Sequence, residues 1–291
     1  MRKFLTVLVL IMLSTNSVFA LDCNFSPKTF ISQQIKKSPI KEFVKNYVKV
    51  ANSYDYDKMT SFYAPNYVNS DGIKRDIYFK LIKNTWNSYP NIKYDFKIKN
   101  IDMSETTAVV ELEETAIASS LPPDNGVLKS HANTVYYLQK NNNTWQIVSD
   151  YIVNEKTSLC FGEAKNAKIE LIAPNQVLSD EEYTVTLSVI PPKDSLVIAS
   201  IGNEKITYPQ ETAEEVFRKM PNDMILERLF VSNNDNVNEY AVASVGLTKM
   251  KIQPDNQVKV EISGLAYAMS RVNVVPINKL IEEKKDDVKD K

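Results

Sequence analysis

An α+β unit of helices on a curved antiparallel sheet, followed by an all-β, sandwich-like half, is the architecture that this sequence predicts. Three observations predict it. Apolar residues recur at helical spacing between residues 38 and 89, then alternate with polar ones from residue 92. After residue 161, strand-like runs bounded by Pro, Asn, Asp or Gly follow one another with a single helical interruption.

The chain opens with the grammar of a secretory leader over residues 1–20. Arg2 and Lys3 precede the apolar run Phe4 to Leu13, and Val18-Phe19-Ala20 makes a small-x-small cleavage site. The run is too short to span a bilayer comfortably. Asp22 ahead of Cys23 argues against a lipid-anchor site, and no later segment approaches a membrane span. The mature protein is therefore expected to be exported, periplasmic or extracellular, with no membrane span. Its two cysteines, Cys23 and Cys160, bracket residues 21–160, and in an oxidising compartment an even count favours a disulfide. Such a bridge would close a long loop, worth roughly 4–5 kcal/mol less any strain.

The first unit, residues 21–160, begins with helices. Ser38 suits an N-cap and Pro39 the first helical position, after which Ile40, Phe43, Val44, Tyr47, Val48 and Ala51 form one stripe. A short second helix is expected from Asp57 to Tyr63, stopping at Pro65. A third follows Asp71-Gly72, carries Ile73, Ile77 and Leu81, with Tyr78, Ile82 and Trp86 beside them, and ends near Tyr89-Pro90. The period then changes to two. Ile92, Tyr94, Phe96 and Ile98 alternate with Lys93, Asp95, Lys97 and Lys99, and three further strands are expected at "TTAVVELEET", "HANTVYYLQK" and "TWQIVSDYIVN".

The order helix, short helix, "FYAPNYVNSDG", helix, "TWNSYPNIKYDFKI" and a meander ending "TWQIVSDY" resembles the nuclear transport factor two-like, or SnoaL-like, superfamily over about residues 38–155. The resemblance implies a cone whose helices and bent sheet enclose a pocket, and enzymes of that superfamily place His, Asp or Tyr inside it for proton transfer. It also implies that a sheet face could serve a homodimer.

The second half, residues 161–277, predicts strands at "KIELIAP", "YTVTLSVI", "SLVIASIG", "EKITY", "ERLFVSN", "YAVASVGLTKMKI" and "VKVEISGLAYA", the last running on to "RVNVVP". It resembles an immunoglobulin-like sandwich. One helix is expected, with Thr207 as cap, Pro209 in its first turn, an apolar side of Ala213, Val216, Phe217 and Met220, and Pro221 as its end. The tail, residues 278–291, includes "EEKKDDVKDK" and has no apolar periodicity, which predicts disorder.

His131 is the single histidine, so any imidazole chemistry must use it. It shares a strand face with Asn133, Val135 and Tyr137, at a position that suits an exposed strand start equally well. Asp71, Glu113, Asp150 and Tyr151 are the other candidates. A carboxylate inside an apolar cone would have a raised pKa suited to proton abstraction. Asp71-Gly72 is also a turn and helix-start signal, and Glu113 alternates with Leu112 and is expected to face outwards. Asp150 shares a face with Val148 and Ile152, opposite Trp145, Ile147 and Tyr151, and is either a base or a carboxylate hydrogen-bonded to a tyrosine.

Residues 21–160 carry both tryptophans and eleven tyrosines, against four tyrosines in 161–277. Tyrosine offers an apolar face with a polar tip, so Tyr63, Tyr67, Trp86, Tyr94 and Tyr137 are the expected lining of a pocket for an amphipathic ligand. A net charge of −1 gives no support for nucleic-acid binding. Six glycines leave no glycine-rich phosphate loop, and neither G-x-S-x-G nor metal-ligand spacing occurs, so no cofactor or metal is expected. The expected function is an exported, non-catalytic binding or interaction protein. Its cone would take a small amphipathic molecule or peptide, and its sandwich would dock a protein partner. The alternative is a SnoaL-like lyase or isomerase using Asp150 or His131 as base, with a tyrosine as electrophile.

Overall fold

A computed structural model describes residues 27–120, 125–210, 215–252 and 258–277, with side chains from residue 39 onward, apart from those of 251–258. The expected leader (1–20), Cys23 and the charged tail (278–291) lie outside the described residues. No disulfide is present among the described residues, and Cys160 is a free thiol.

Three helices precede the first strands: α1 (Pro27–Ala51), α2 (Tyr56–Ser61) and α3 (Arg75–Ser88). Helix α1 starts well before the expected cap at Ser38 and carries Pro39 in its interior. A proline removes one backbone N–H and crowds the preceding turn, which reads as a helix start in sequence, yet the helix runs through it; the expected start was misplaced, and the stripe was not. Ile40, Val44, Tyr47 and Ala51 are buried as expected. Helix α2 is capped by Asp55, whose side chain accepts from the Lys58 N–H at 3.1 Å. Helix α3 buries Tyr78, Leu81, Ile82 and Trp86.

The meander follows as β1 (Lys93–Met103), β2 (Thr107–Ser119), β3 (Val127–Asn141) and β4 (Thr144–Gly162), each antiparallel to the next. Apolar residues of their helix-facing side, including Val110, Leu112, Leu138 and Ile147, join the helices in one core. This first part is thus a mixed α+β structure.

The remaining strands are β5 (Lys168–Ile172), β6 (Gln176–Leu178), β7 (Glu182–Ile190), β8 (Leu196–Lys205), β9 (Arg218–Lys219), β10 (Ile225–Val231), β11 (Glu239–Ile252) and β12 (Val258–Val275). They do not form two sheets of their own. Strand β12 returns to pair with β4, from Gly264 opposite Gly162 to Ser270 opposite Lys156. One nine-stranded sheet therefore runs β1-β2-β3-β4-β12-β11-β8-β9, with β6 parallel to β12, and a separate three-stranded sheet runs β10-β7-β5. Val185, Leu187 and Val189 of the small sheet share a second core with Ala199, Ala243, Val245 and Ala268 of the large one. The boundary expected at residues 160/161 falls within β4, and the sheet crosses it.

The helix expected between Thr207 and Pro221 is absent from the described residues of that segment. Arg218 and Lys219 instead pair with Ala199 and Ile198 as β9, and the Met220 N–H donates to the Val197 carbonyl at 3.0 Å. The open edge of β8 offered this stretch a ladder, and tertiary pairing overrode its helical spacing. Val216 and Phe217, expected on a buried helix side, are exposed.

Candidate functional site

The stretch "FYAPNYVNSDG" runs along the part of β4 that β12 leaves unpaired. The Ile147 N–H donates to the Phe62 carbonyl (2.8 Å), and the Ala64 N–H returns a bond to the Ile147 carbonyl (2.9 Å). Ser149 Oγ donates to the Val68 carbonyl (2.8 Å), and Ser70 Oγ to that of Asp150 (3.0 Å). Backbone groups of a sheet edge are thereby satisfied, and Tyr63 and Tyr67 are driven into the space between the sheet and the helices.

Inside, phenols meet phenols. The Tyr63 hydroxyl lies 2.7 Å from that of Tyr47 and 2.9 Å from that of Tyr78. The rings pack edge-on or tilted, Tyr63 on Tyr67 at 4.9 Å and Tyr67 on Tyr78 at 5.2 Å between centroids. Tyr67 donates a hydrogen bond to Asp150 Oδ2. Burial is the main cause that pushes the Tyr47, Tyr63, Tyr67, Tyr78 and Tyr136 phenols above the usual tyrosine range.

Asp150 reaches this interior through a β-bulge. Leu138 faces Ile147 and Tyr137 faces Ser149, so Val148 is an extra residue. Unbroken alternation would set Asp150 on the side away from Ile147; the bulge puts both on the side facing the helices, with Asp150 opposite Tyr136 and fully buried. A second bulge, at Val153, sets Glu155 on the same side, opposite Ala132. Glu114 flanks Ala132 from β2. The two glutamates thus sit on either side of one small residue.

Both are nearly sealed from solvent, at 6% and 5% exposure. Glu114 accepts from Thr134 Oγ1 at 2.9 Å, and Glu155 from Thr157 Oγ1 at 3.1 Å. Desolvation dominates and pushes each carboxyl up to about 8; the hydroxyl groups only partly offset it, as does Arg271 for Glu155. At neutral pH the folded protein holds these protons, whereas the unfolded chain releases them above about pH 4.5. Stability from this source is complete below that pH and is lost as pH rises towards 8. The double variant Glu114→Gln/Glu155→Gln is expected to flatten this decline, by on the order of a few kcal/mol across the pair, in urea titrations between pH 5 and 9.

The other expected site residues lie elsewhere. Trp86 and Tyr94 adjoin one another beside Tyr54, whose ring is 5.7 Å from that of Trp86. Tyr137 faces away from the helices, opposite Ser149 and Val109, and Tyr136 takes the interior place. Tyr151 pairs with Val135 on that same outer side. His131 is half exposed there, its Nε2 3.8 Å from Glu113 Oε1, and Glu113 also meets Lys97 and Lys99, on the side away from the helices as expected. Asp71 is more than a turn residue. Its carboxylate takes Arg271 Nη2 at 2.7 Å and Asn238 Nδ2 at 2.9 Å, and both partners of the ion pair are buried to within 1%.

Glu114, Glu155 and Arg271 were not singled out from sequence. Glu114 shares parity with Leu112 and Ala116, and period two alone would have placed it inwards. Among the described residues no group of three His, Cys, Asp or Glu side chains could hold a metal ion, and no helix is long and apolar enough to cross a membrane.

No family model and no curated protein matches the chain. Solved structures give distant likenesses over about two-fifths of it. A putative scytalone dehydratase from Novosphingobium aromaticivorans aligns at 15% identity over 42% of this chain and 86% of its own, with a TM-score of 0.37. The dehydrochlorinase LinA-type3 of Novosphingobium barchaimii aligns at 8% identity over 42% and 88%, with a TM-score of 0.36. The Bdellovibrio bacteriovorus protein Bd1075 aligns at 15% identity and a TM-score of 0.37, and the match spans 44% of each chain.

Proposed function

We infer that this is an exported, non-catalytic binding or interaction protein whose first half is a nuclear transport factor two-like cone packed with its own side chains. The element order of three helices and a four-stranded meander supports the family reading, and the leader-like residues 1–20 support export. The sandwich-like second half would dock a protein partner. A homodimer remains compatible with the exposed outer face of the meander.

One observation carries the packed interior: the hydroxyls of Tyr47, Tyr63 and Tyr78 satisfy one another while all three rings are at most 2% exposed. An amphipathic ligand would have to displace this network and leave buried polar groups unpaired, at about 1–3 kcal/mol each. Alkaline titration of tyrosinate absorbance tests it. Phenols whose folded pKa is raised contribute stability below pH 10 that is lost as pH climbs above it. The five cone tyrosines are therefore expected to ionise only in the step that unfolds the protein. Their reversible ionisation in the folded protein would instead show a solvent-open cone.

A second reading has its own observation. Glu114, protonated near neutrality, and Asp150, bonded to Tyr67, occupy one tyrosine-lined interior, the acid-and-base pairing that a lyase or isomerase needs. Under it, Asp150→Asn would abolish turnover; under the binding reading it would shift only stability.

A further inference from the structure

The small sheet overhangs the outer face of the large one, and its edge strand β5 closes a cleft of about 260 Å3. We propose that this cleft binds a small molecule bearing an oxyanion, a carboxylate or a phosphate, with a short apolar portion. It lies across the sheet from the cone and does not depend on what fills the cone.

The pairing register builds the site. His131 stands directly opposite Lys156, and Lys129 opposite Ser158, so these four side chains project from the same side of β3 and β4. All four line the cleft. Neither Lys129 nor Lys156 has an ion-pair partner among the described residues, although other surface lysines do, such as Lys97, Lys99 and Lys249. Two uncompensated ammonium groups in one concavity raise the local potential, because the low-dielectric walls focus the field.

The nearby carboxylates do not neutralise them. Glu113, on the strand beside His131, is already shared with Lys97 and Lys99. Asp95 lies one strand further out, across Thr115. Glu170 is on the cleft wall itself and is exposed. It leaves a surplus of cationic groups and disfavours a ligand with charge at both ends.

The remaining wall is apolar, with Ile169 and Leu171 from β5 and, from β12, Ala268, which stands opposite Ser158. A cationic floor with an apolar wall is complementary to an anionic head on a short hydrocarbon chain. The volume is below the ~300–1,000 Å3 of drug-sized sites, which favours a small ligand over a lipid or a folded partner.

The lone histidine supplies the readout, since the chain gives a single imidazole Hε1 signal in proton NMR. Hexanoate and hexyl phosphate would be titrated separately into the full mature chain at constant ionic strength, with chloride as control. A saturable shift of the His131 signal with one or both probes is expected, and the preferred head group then tells carboxylate from phosphate. Hydrogen bonds between a charged donor and an anion are stronger than neutral ones. Lys129→Ala/Lys156→Ala is therefore expected to weaken binding at least roughly tenfold while leaving the circular dichroism spectrum and urea midpoint unchanged. Absence of saturation with both probes, an equal shift with chloride, or undiminished binding by the double variant would overturn the proposal. None of these results bears on the tyrosine titration, so the two ideas fail separately.

Discussion

Arg271→Met is expected to destabilise the protein by about 3–5 kcal/mol, because it leaves the Asp71 carboxylate buried without its counter-charge, with only the neutral Asn238 amide beside it. Arg271 is fully buried on β12, with Nη2 on Asp71, Nε on Asn273 Oδ1 at 2.8 Å and its guanidinium 6.0 Å from the Tyr240 ring centroid. Burial alone would lower the arginine pKa, but Asp71 and its neighbours outweigh that and hold it above its ordinary value. The pair joins residue 71, in the corner before α3, to a strand that lies two hundred residues further along the chain. The double variant Asp71→Asn/Arg271→Met removes both charges and keeps the amide acceptor for Asn238. It is expected to recover most of the loss, since replacing both members of a buried pair is often near neutral. Urea midpoints of the two single variants and the double variant test this. Additive losses would show that the two residues do not act as a pair.

Gly264→Ala is expected to cost roughly 3 kcal/mol or more, near the upper end for overpacking, because no side chain there can swing aside. A methyl at Gly264 would overlap the Ala164 backbone nitrogen and come within 3.0 Å of the Glu163 nitrogen and 3.1 Å of the Phe161 carbonyl oxygen. Gly162, its partner across the seam, has φ +54° and leads into the 3-10 turn Glu163–Asn166. Its substitution adds left-handed strain to a clash with the Ser263 carbonyl. Both variants should lower the urea midpoint and the yield of folded protein. Either one tolerated at wild-type stability would mean that the seam between β4 and β12 yields to accommodate a methyl group.

Much of the architecture was legible because one-faced burial writes period two into a strand. The alternation of Ala108, Val110 and Leu112 located β2 and its inward face, and the stripe Ile40, Val44, Tyr47 located the buried side of α1. The two bulges in β4 were not legible. A bulge is one residue too many against its partner, and a single strand cannot reveal a mismatch that exists only relative to another. Asp150 was therefore set opposite Ile147. Tyr137 was expected inside for another reason: β3 alternates without a break, and the pair Tyr136-Tyr137 does not itself say which of two tyrosines faces the helices. The seam was hidden for a related reason. The run containing Leu265, Tyr267 and Met269 announces a strand, but nothing in it says that its partner is β4. Arg271 was missed because a buried arginine looks like any other charged residue until Asp71 stands beside it.

The seam has a further consequence for anyone who divides the chain at its evident midpoint. Among the described residues the backbone partner of β4 on that side between Lys156 and Gly162 is β12, so cutting after residue 160 strips the donors and acceptors of an inner strand. What had been an interior position becomes a long, unguarded edge beside apolar Leu159, the kind of template on which chains stack into aggregates. The two halves are consecutive in sequence but not modular: neither could be shuffled or inherited alone without first acquiring a new border for its sheet.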